Sequence, residues 1–368
     1  MNNSVYIIII IIILILILFK NLNLSEKFDG LTSMGNIDSS PIFVDVYDNH
    51  GNKLNLSMIT KPFTAGSCED FKTFLINKPN RIYLGMSSYM EFPGVPSNPV
   101  DKYVNVKDVE NPNDKNNNLN IHYHDMYLDI CDGWLHCFKN PEKFIDINKP
   151  HELISDSDFV NYNVAKPDAS IKKEYDYIYS CPKVNEKSTC NDWVSYNKNW
   201  ELAKKCIFKM SDQNIRGLLV GRKGCEIPKN CDATGWIDYH DMLKLYNKAR
   251  FIFVPNVVDA SPRVLTEGMA INLPCLVNEN ILGGWKYVCK DTGEFFTNEN
   301  DVVENAQKIL KNLDSYKPRE YIKKNHGPIN AGKRLANFIF DNYSDKLILK
   351  RGNVKYLTLR HPLTHFKP

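Results

Sequence analysis

Two carboxylates, Asp259 and Glu267, flank a Ser-Pro pair in the run Asp259-Ala260-Ser261-Pro262-Arg263-Val264-Leu265-Thr266-Glu267. Serine is a favoured helix N-cap, and proline suits the first helical position, where its missing N–H costs nothing. The pattern therefore predicts a helix capped by Ser261 and running from Pro262 to Ile271. The backbone N–H groups of Arg263 and Val264 would then be donors at the positive end of that helix, a place suited to a diphosphate. Glu267, about a turn and a half further in, has the geometry to accept two hydrogen bonds from a ribose diol. Asp259 stands ahead of the cap, near whatever the phosphate carries. The same residues also suit an ordinary capped helix with a solvated Glu.

Such a site needs a strand before the helix, because ligands of open parallel sheets bind beyond the carboxyl ends of the strands. Arg250 to Pro255 supplies one, and Pro274 to Val277 the next. Tyr175–Cys181 and Gly217–Gly221 read as further strands. Helices are expected over Trp200–Met210, from an Asp238 cap to Ala249, and over Val302–Leu313. Short apolar strands alternating with helices of about ten residues mean a parallel sheet covered on both faces. In the first half, Ile42–Val46, Leu54–Ile59 and Arg81–Met86 read as strands, Glu69–Ile76 as a helix, and Leu153-Ile154 as a last strand. A Pro/Gly-rich loop follows Met86, and its Ser87–Pro93 part, including Glu91, is placed at a strand end that could face a cleft. The polar stretch Lys166–Lys173 marks the domain boundary.

The chain has 368 residues, with 46 Lys and Arg against 43 Asp and Glu. A net charge of +3 over that length argues against a nucleic-acid partner. None of the ten cysteines forms a C-x-x-C pair, so a zinc ribbon or thioredoxin-like centre is not expected. Cys225–Cys231 and Cys181–Cys190 are the pairings to consider if the protein is lumenal. His122-Tyr123-His124-Asp125 imitates a metal site but lacks a third placed ligand, and no metal is expected. Val5 to Phe19 is an unbroken apolar run with seven consecutive isoleucines. As a helix it spans roughly 22 Å, short of the ~30 Å bilayer core. It lacks a small-residue cleavage pattern, so an uncleaved single-pass membrane anchor is expected, its orientation open. A secretory-pathway lumen or the cytoplasm is the alternative location. The resulting division is 1–20 anchor or signal, 21–40 tether, 41–165 first domain, 166–345 second domain and 346–368 tail.

The run from Asp259 to Pro274 resembles the acid-x7-acid donor motif of retaining glycosyltransferases of the GT-B fold, family 4 in particular. Thr234-Gly235-Trp236 upstream and Asp291-Thr292-Gly293-Glu294-Phe295-Phe296 downstream are similar to that family's order, so the resemblance covers roughly Tyr175 to Leu313. It implies two Rossmann-like parallel-sheet domains facing a cleft. It also implies transfer of a sugar from a nucleoside-diphosphate sugar to a hydroxyl of a glycan, lipid or protein acceptor, with retention and without cofactor. On that resemblance Glu267 holds the donor ribose, Asp259 the donor sugar hydroxyls, and the backbone at Ala260 and Ser261 sugar and phosphate. Lys198 and Lys183 would match the basic pair that neutralises the diphosphate, with Arg222-Lys223 in competition. An acceptor-side histidine would be His136, His122 or His124. The motif departs from the family in having Asp259 for Glu and Ala260 for Gly. An exostosin-like or fucosyltransferase-like GT-B enzyme and a non-catalytic glycan- or partner-binding module are the alternatives.

Overall fold

In the second half of the chain, six short strands alternate with helices and assemble into one all-parallel sheet. The strands are β6 (Tyr175–Ser180), β7 (Gly217–Val220), β8 (Asp232–Ala233), β9 (Ala249–Val254), β10 (Cys275–Asn278) and β11 (Gly293–Phe296). Their order across the sheet is β11-β10-β9-β6-β7-β8. The first half builds a second six-stranded sheet, β12-β1-β2-β3-β4-β5. It is made of β1 (Phe43–Asp48), β2 (Lys53–Ile59), β3 (Ile82–Met86), β4 (Gly133–Leu135), β5 (His151–Glu152) and β12 (Leu357–Leu359). β2 to β5 run parallel, whereas β1 is antiparallel to both β2 and β12. The antiparallel start follows from the Asp48–Asn52 turn, where Gly51 takes φ 85° and the Asp48 carboxylate accepts the His50 and Asn52 N–H groups.

The computed structural model describes residues 42–59, 68–87, 130–181, 190, 195, 198–347 and 353–359. The expected anchor and tether, Glu91, His122, His124 and Lys183 lie outside these residues. Among the described residues no helix is long and apolar enough to cross a membrane.

The helices are α1 (Cys68–Asn77), α2 (Trp200–Asp212), α3 (Tyr239–Asn247), α4 (Arg263–Ala270), α5 (Val302–Lys311), α6 (Pro318–Asn325) and α7 (Gly327–Tyr343). On one face of the second sheet, Leu243 and Tyr246 of α3 and Leu265 and Met269 of α4 cover Ile178, Ile252 and Val254. On the other, Cys206 and Ile207 of α2 and Ala306 and Ile309 of α5 cover Tyr177, Leu219 and Phe253. A sheet buried on both faces explains why its strands read as continuous apolar runs.

Two boundaries differ from expectation. The strand that follows β4 in the first sheet is His151–Glu152, just ahead of the predicted Leu153-Ile154, because Leu153-Ile154 already leads into the turn at Ser155. The second domain also does not run on to residue 345. Helix α7 carries Leu335, Phe338 and Ile339 back onto Leu56, Met58 and Leu84 of the first sheet, and Leu357 and Leu359 of β12 join that same core. The physical reason is an apolar face of the first sheet that, among the described residues, no other helix covers. Between β5 and β6 the linker makes a short 3-10 turn, Asp156–Phe159. Its Asp158 is fully buried and meets Lys286 Nζ at 2.6 Å, the Tyr287 hydroxyl at 2.9 Å, His326 Nδ1 at 2.9 Å and Arg334 at 3.4 Å. Burial opposes ionisation there, but Lys286, His326 and Arg334 hold the Asp158 carboxyl well below the usual carboxylate range. One buried anion thus binds the linker, the second lobe and the returning helix α7.

Candidate active site

The carboxyl end of the second sheet gathers the residues that the sequence singled out. The strand β9 ends at Pro255-Asn256, and the loop behind it carries Asp259. From the neighbouring strand β6, the chain returns to α2 through Lys198, whose Nζ lies 2.6 Å from Asp259 Oδ2. Two hydrogen bonds and one backbone conformation set that lysine in place. The Tyr179 hydroxyl donates to the Lys198 carbonyl at 3.0 Å, Asn199 Nδ2 donates to the Pro255 carbonyl at 2.9 Å, and Asn199 itself adopts the left-handed conformation. Asn tolerates that conformation better than most residues, which is why the turn into α2 can be so tight. Asp259 also accepts Asn256 Nδ2 at 2.8 Å and the Ser261 N–H at 3.2 Å. A carboxylate offers about four lone-pair positions, so one remains for a ligand donor.

Helix α4 begins at Arg263, with Pro262 in the capping place, and the Leu265 N–H donates to the Pro262 carbonyl. Ser261 therefore does not cap the helix. Its hydroxyl lies 2.6 Å from the Ser157 hydroxyl and accepts the Ser157 N–H at 2.9 Å, so a linker residue has drawn it away from the helix end. Ala260 is buried as well, packed with Cys137 and Phe138 of the first lobe. Gly283 lies directly behind it: a Cβ there would overlap the Ala260 carbonyl and crowd Cys137. Trp285 Nε1 completes this contact between the lobes by donating to the Cys137 carbonyl at 3.0 Å.

Beside α4 opens a cavity of about 300 Å³, lined by Arg263, Val264 and Glu267 of the helix, Tyr239 of α3, and Asp156 and Asn161 of the linker. Burial pushes the Glu267 carboxyl up to about 7, with Arg263 opposing and Asp156 adding to the rise. Burial, helped by Glu267, also pushes the Tyr239 phenol up to about 12. Cavity and helix end together hold one partly buried carboxylate on the flank of α4, a lysine–aspartate pair at the strand ends, and the amino end of α4.

His136 follows β4 directly and is buried. Its Nδ1 accepts the Phe138 N–H at 3.2 Å, which leaves the ring proton on Nε2. Burial, His151 and Lys286 lower its pKa to about 4, so the ring is a neutral hydrogen-bond donor and not an acid at physiological pH. Among the described residues no group of three His, Cys, Asp or Glu side chains is placed to hold a metal ion. The one disulfide among these residues joins Cys190 to Cys225, a pairing different from both considered from the sequence. Cys181 and Cys231 are buried free thiols on the α2 side of the second sheet. Asn199, Asn256, Tyr239 and Asp156 escaped the sequence reading, since each takes its place from a loop closing in space. The only trace of them was the Asp238 cap, which puts Tyr239 at the start of α3 and accepts the Asp241 N–H at 2.9 Å.

Residues 196–326 match the family model of glycosyl transferases group 1. A search of curated proteins finds no match. Among solved structures, the chain is similar to sucrose-phosphate synthase from Thermosynechococcus elongatus at 13% identity and a TM-score of 0.53, over 74% of this chain and 70% of that one. It is similar to HepE from Anabaena, in complex with UDP-glucose, at 8% identity and a TM-score of 0.53, over 77% and 78% of the two chains. At such identities the likeness is one of fold, and it agrees with two facing Rossmann-like sheets. Residues 196–326, which include Lys198, Asp259 and Glu267, are thus the part of the chain that is similar to glycosyl transferases group 1.

Proposed function

We propose that the enzyme binds a nucleoside-diphosphate sugar at the carboxyl end of the second sheet and transfers the sugar, with retention, to an acceptor hydroxyl held by the first lobe. The observation that carries this reading is the convergence of Lys198, Asp259 and the amino end of α4 on one edge of the sheet, beside a cavity walled by Glu267. The ribose diol would donate to Glu267, with Tyr239 and the linker closing the nucleoside side. The diphosphate would lie against the first amides of α4, including that of Val264, and against the ammonium of Lys198. Negative charge grows on the departing diphosphate as the glycosidic bond breaks, so a cation and helix amides already in place lower the barrier. Asp259 positions that cation and keeps a lone pair for a donor-sugar hydroxyl. His136, neutral with its proton on Nε2, would donate to the sugar from the first lobe.

No described side chain at this edge is placed as a covalent nucleophile, which favours transfer on one face of the sugar, the acceptor hydroxyl entering on the side where the diphosphate leaves. The apolar run 5–19 would hold the enzyme at a membrane, within reach of a glycan, lipid or protein acceptor. The test is hydrolysis of a panel of UDP-, GDP- and dTDP-sugars by the parent enzyme and by Glu267→Ala. Turnover by the parent and its loss in the variant is expected. Turnover that survives the substitution refutes the site. A product NMR spectrum then reports the anomeric configuration.

A further inference from the structure

Lys198 is held from behind by a residue that takes no part in the site itself. Arg222, just past β7, is completely buried, and no carboxylate pairs with it among the described residues. Its Nη1 donates to the Ser195 hydroxyl at 2.7 Å, and its guanidinium lies 5.3 Å from the centre of the Trp200 ring. Nε donates to the Gly221 carbonyl at 3.1 Å, while Nη2 is buried without an acceptor among the described residues. Ser195 and Trp200 stand on either side of Lys198 in the chain. A single guanidinium thus grips the segment that presents this lysine before and behind it. A second tie runs alongside: Cys225, whose N–H donates to the Arg222 carbonyl at 3.0 Å, is joined to Cys190 of the same approach to α2. A buried cation with no counter-charge among the described residues is costly to keep for packing alone, where an apolar side chain of similar volume would serve as well or better. Its fork of donors and its flat face instead fit the fixing of a loop.

We propose that Arg222 is a positioning residue that holds Lys198 in register with Asp259, assisted by the Cys190–Cys225 disulfide. The proposal rests on the reading of Lys198 as the cation of the diphosphate site. Arg222→Met keeps apolar contact with Trp200 and removes both the charge and the donors.

The first measurement needs no substrate. Lysines of the full chain are labelled competitively with acetic anhydride, and each rate is read by mass spectrometry. In Arg222→Met, labelling of Lys198 should rise about fivefold, the factor that one hydrogen bond of ordinary strength is worth. Reduction of the disulfide in the parent should raise it in the same direction. Exposed Lys244 and Lys308 should keep the parent's rates. An unchanged Lys198 in a folded variant overturns the proposal. So does a rise at every lysine together, because Arg222 would then support the lobe as a whole.

The second measurement is hydrolysis of UDP- and GDP-sugars by Arg222→Met, Lys198→Ala and the double variant. Arg222→Met should cost about fivefold in the parent background and little once Lys198 is gone. Equal losses in both backgrounds refute action through Lys198. Full turnover by Lys198→Ala would remove the diphosphate reading, while the labelling result would still decide whether Arg222 holds that lysine.

Discussion

Glu267 gives the clearest pH signature of the donor site. Its carboxyl is pushed up to about 7 by burial in the wall of the cavity. A ribose diol donates to the carboxylate form, so nucleotide binding selects the ionised residue. At pH 7 about half of the molecules carry it; at pH 5.5 only about 3% do, which weakens apparent affinity about sixteenfold, or about 1.6 kcal/mol. Titration calorimetry with UDP and GDP, from about pH 5.5 to pH 8 and in buffers of different ionisation heat, reads both the affinity and the proton released. The parent should release close to half a proton at pH 7, and Glu267→Gln should bind more weakly with no pH slope in this range. A flat profile in the parent, or the same slope in the variant, refutes the assignment. The same shift acts on the free enzyme with a definite sign. The folded state holds this proton more tightly than the unfolded chain, so the stability it confers is complete below about pH 4.5 and lost as the pH rises through about 7. The loss is at most about 3 kcal/mol and smaller for a side chain only partly buried. Glu267→Gln should therefore melt above the parent at pH 8 and close to it near pH 4.

Three further outcomes follow from the same geometry. Lys198→Ala should lower turnover by about two to three orders of magnitude, as removal of a single charge-stabilising group does, and should also lower the melting temperature, because the buried Asp259 loses its counter-ion. Asp158→Asn leaves Lys286 buried without its counter-ion and should cost about 3–5 kcal/mol in denaturant titrations. Because the Asp158 carboxyl is held low, its contribution is present above about pH 3.8 and fades only in stronger acid, so parent and variant should converge there. Gly283→Ala drives a methyl into the Ala260 carbonyl and should cost about 1–3 kcal/mol, seen as a lower melting temperature.

Much of the second sheet was legible because its inner parallel strands β6, β7, β9 and β10 are apolar runs long enough to stand out, whereas β8 is only Asp232–Ala233 and shows no such run. The meeting of Lys198 and Asp259 follows from strand-end loops gathering at one edge of such a sheet. What escaped detection depended on partners distant in sequence. Ser261 has the chemistry of a cap, but Ser157 of the linker competes for its hydroxyl, and local spacing cannot register that rival. The apolar face of α7 shows clearly in the pattern Leu335, Phe338, Ile339, yet periodicity does not say which sheet receives it. β4 is three residues long, too short to display any period, so His136 was recognised as a candidate without its position at a strand end. The partner of Cys225 was equally invisible, since spacing favoured the neighbour six positions away over Cys190.

The return of α7 and β12 to the first sheet makes that lobe discontinuous in sequence, with the donor lobe inserted between its pieces. During synthesis β1 to β5 therefore wait, their apolar face open, until α7 and β12 have emerged, while the inserted lobe has everything it needs to fold. Emergence of α7 and β12, and not of the loops carrying Lys198 and Asp259, would then complete the first lobe, and nascent chains halted before Leu357 would be the ones that call on chaperones.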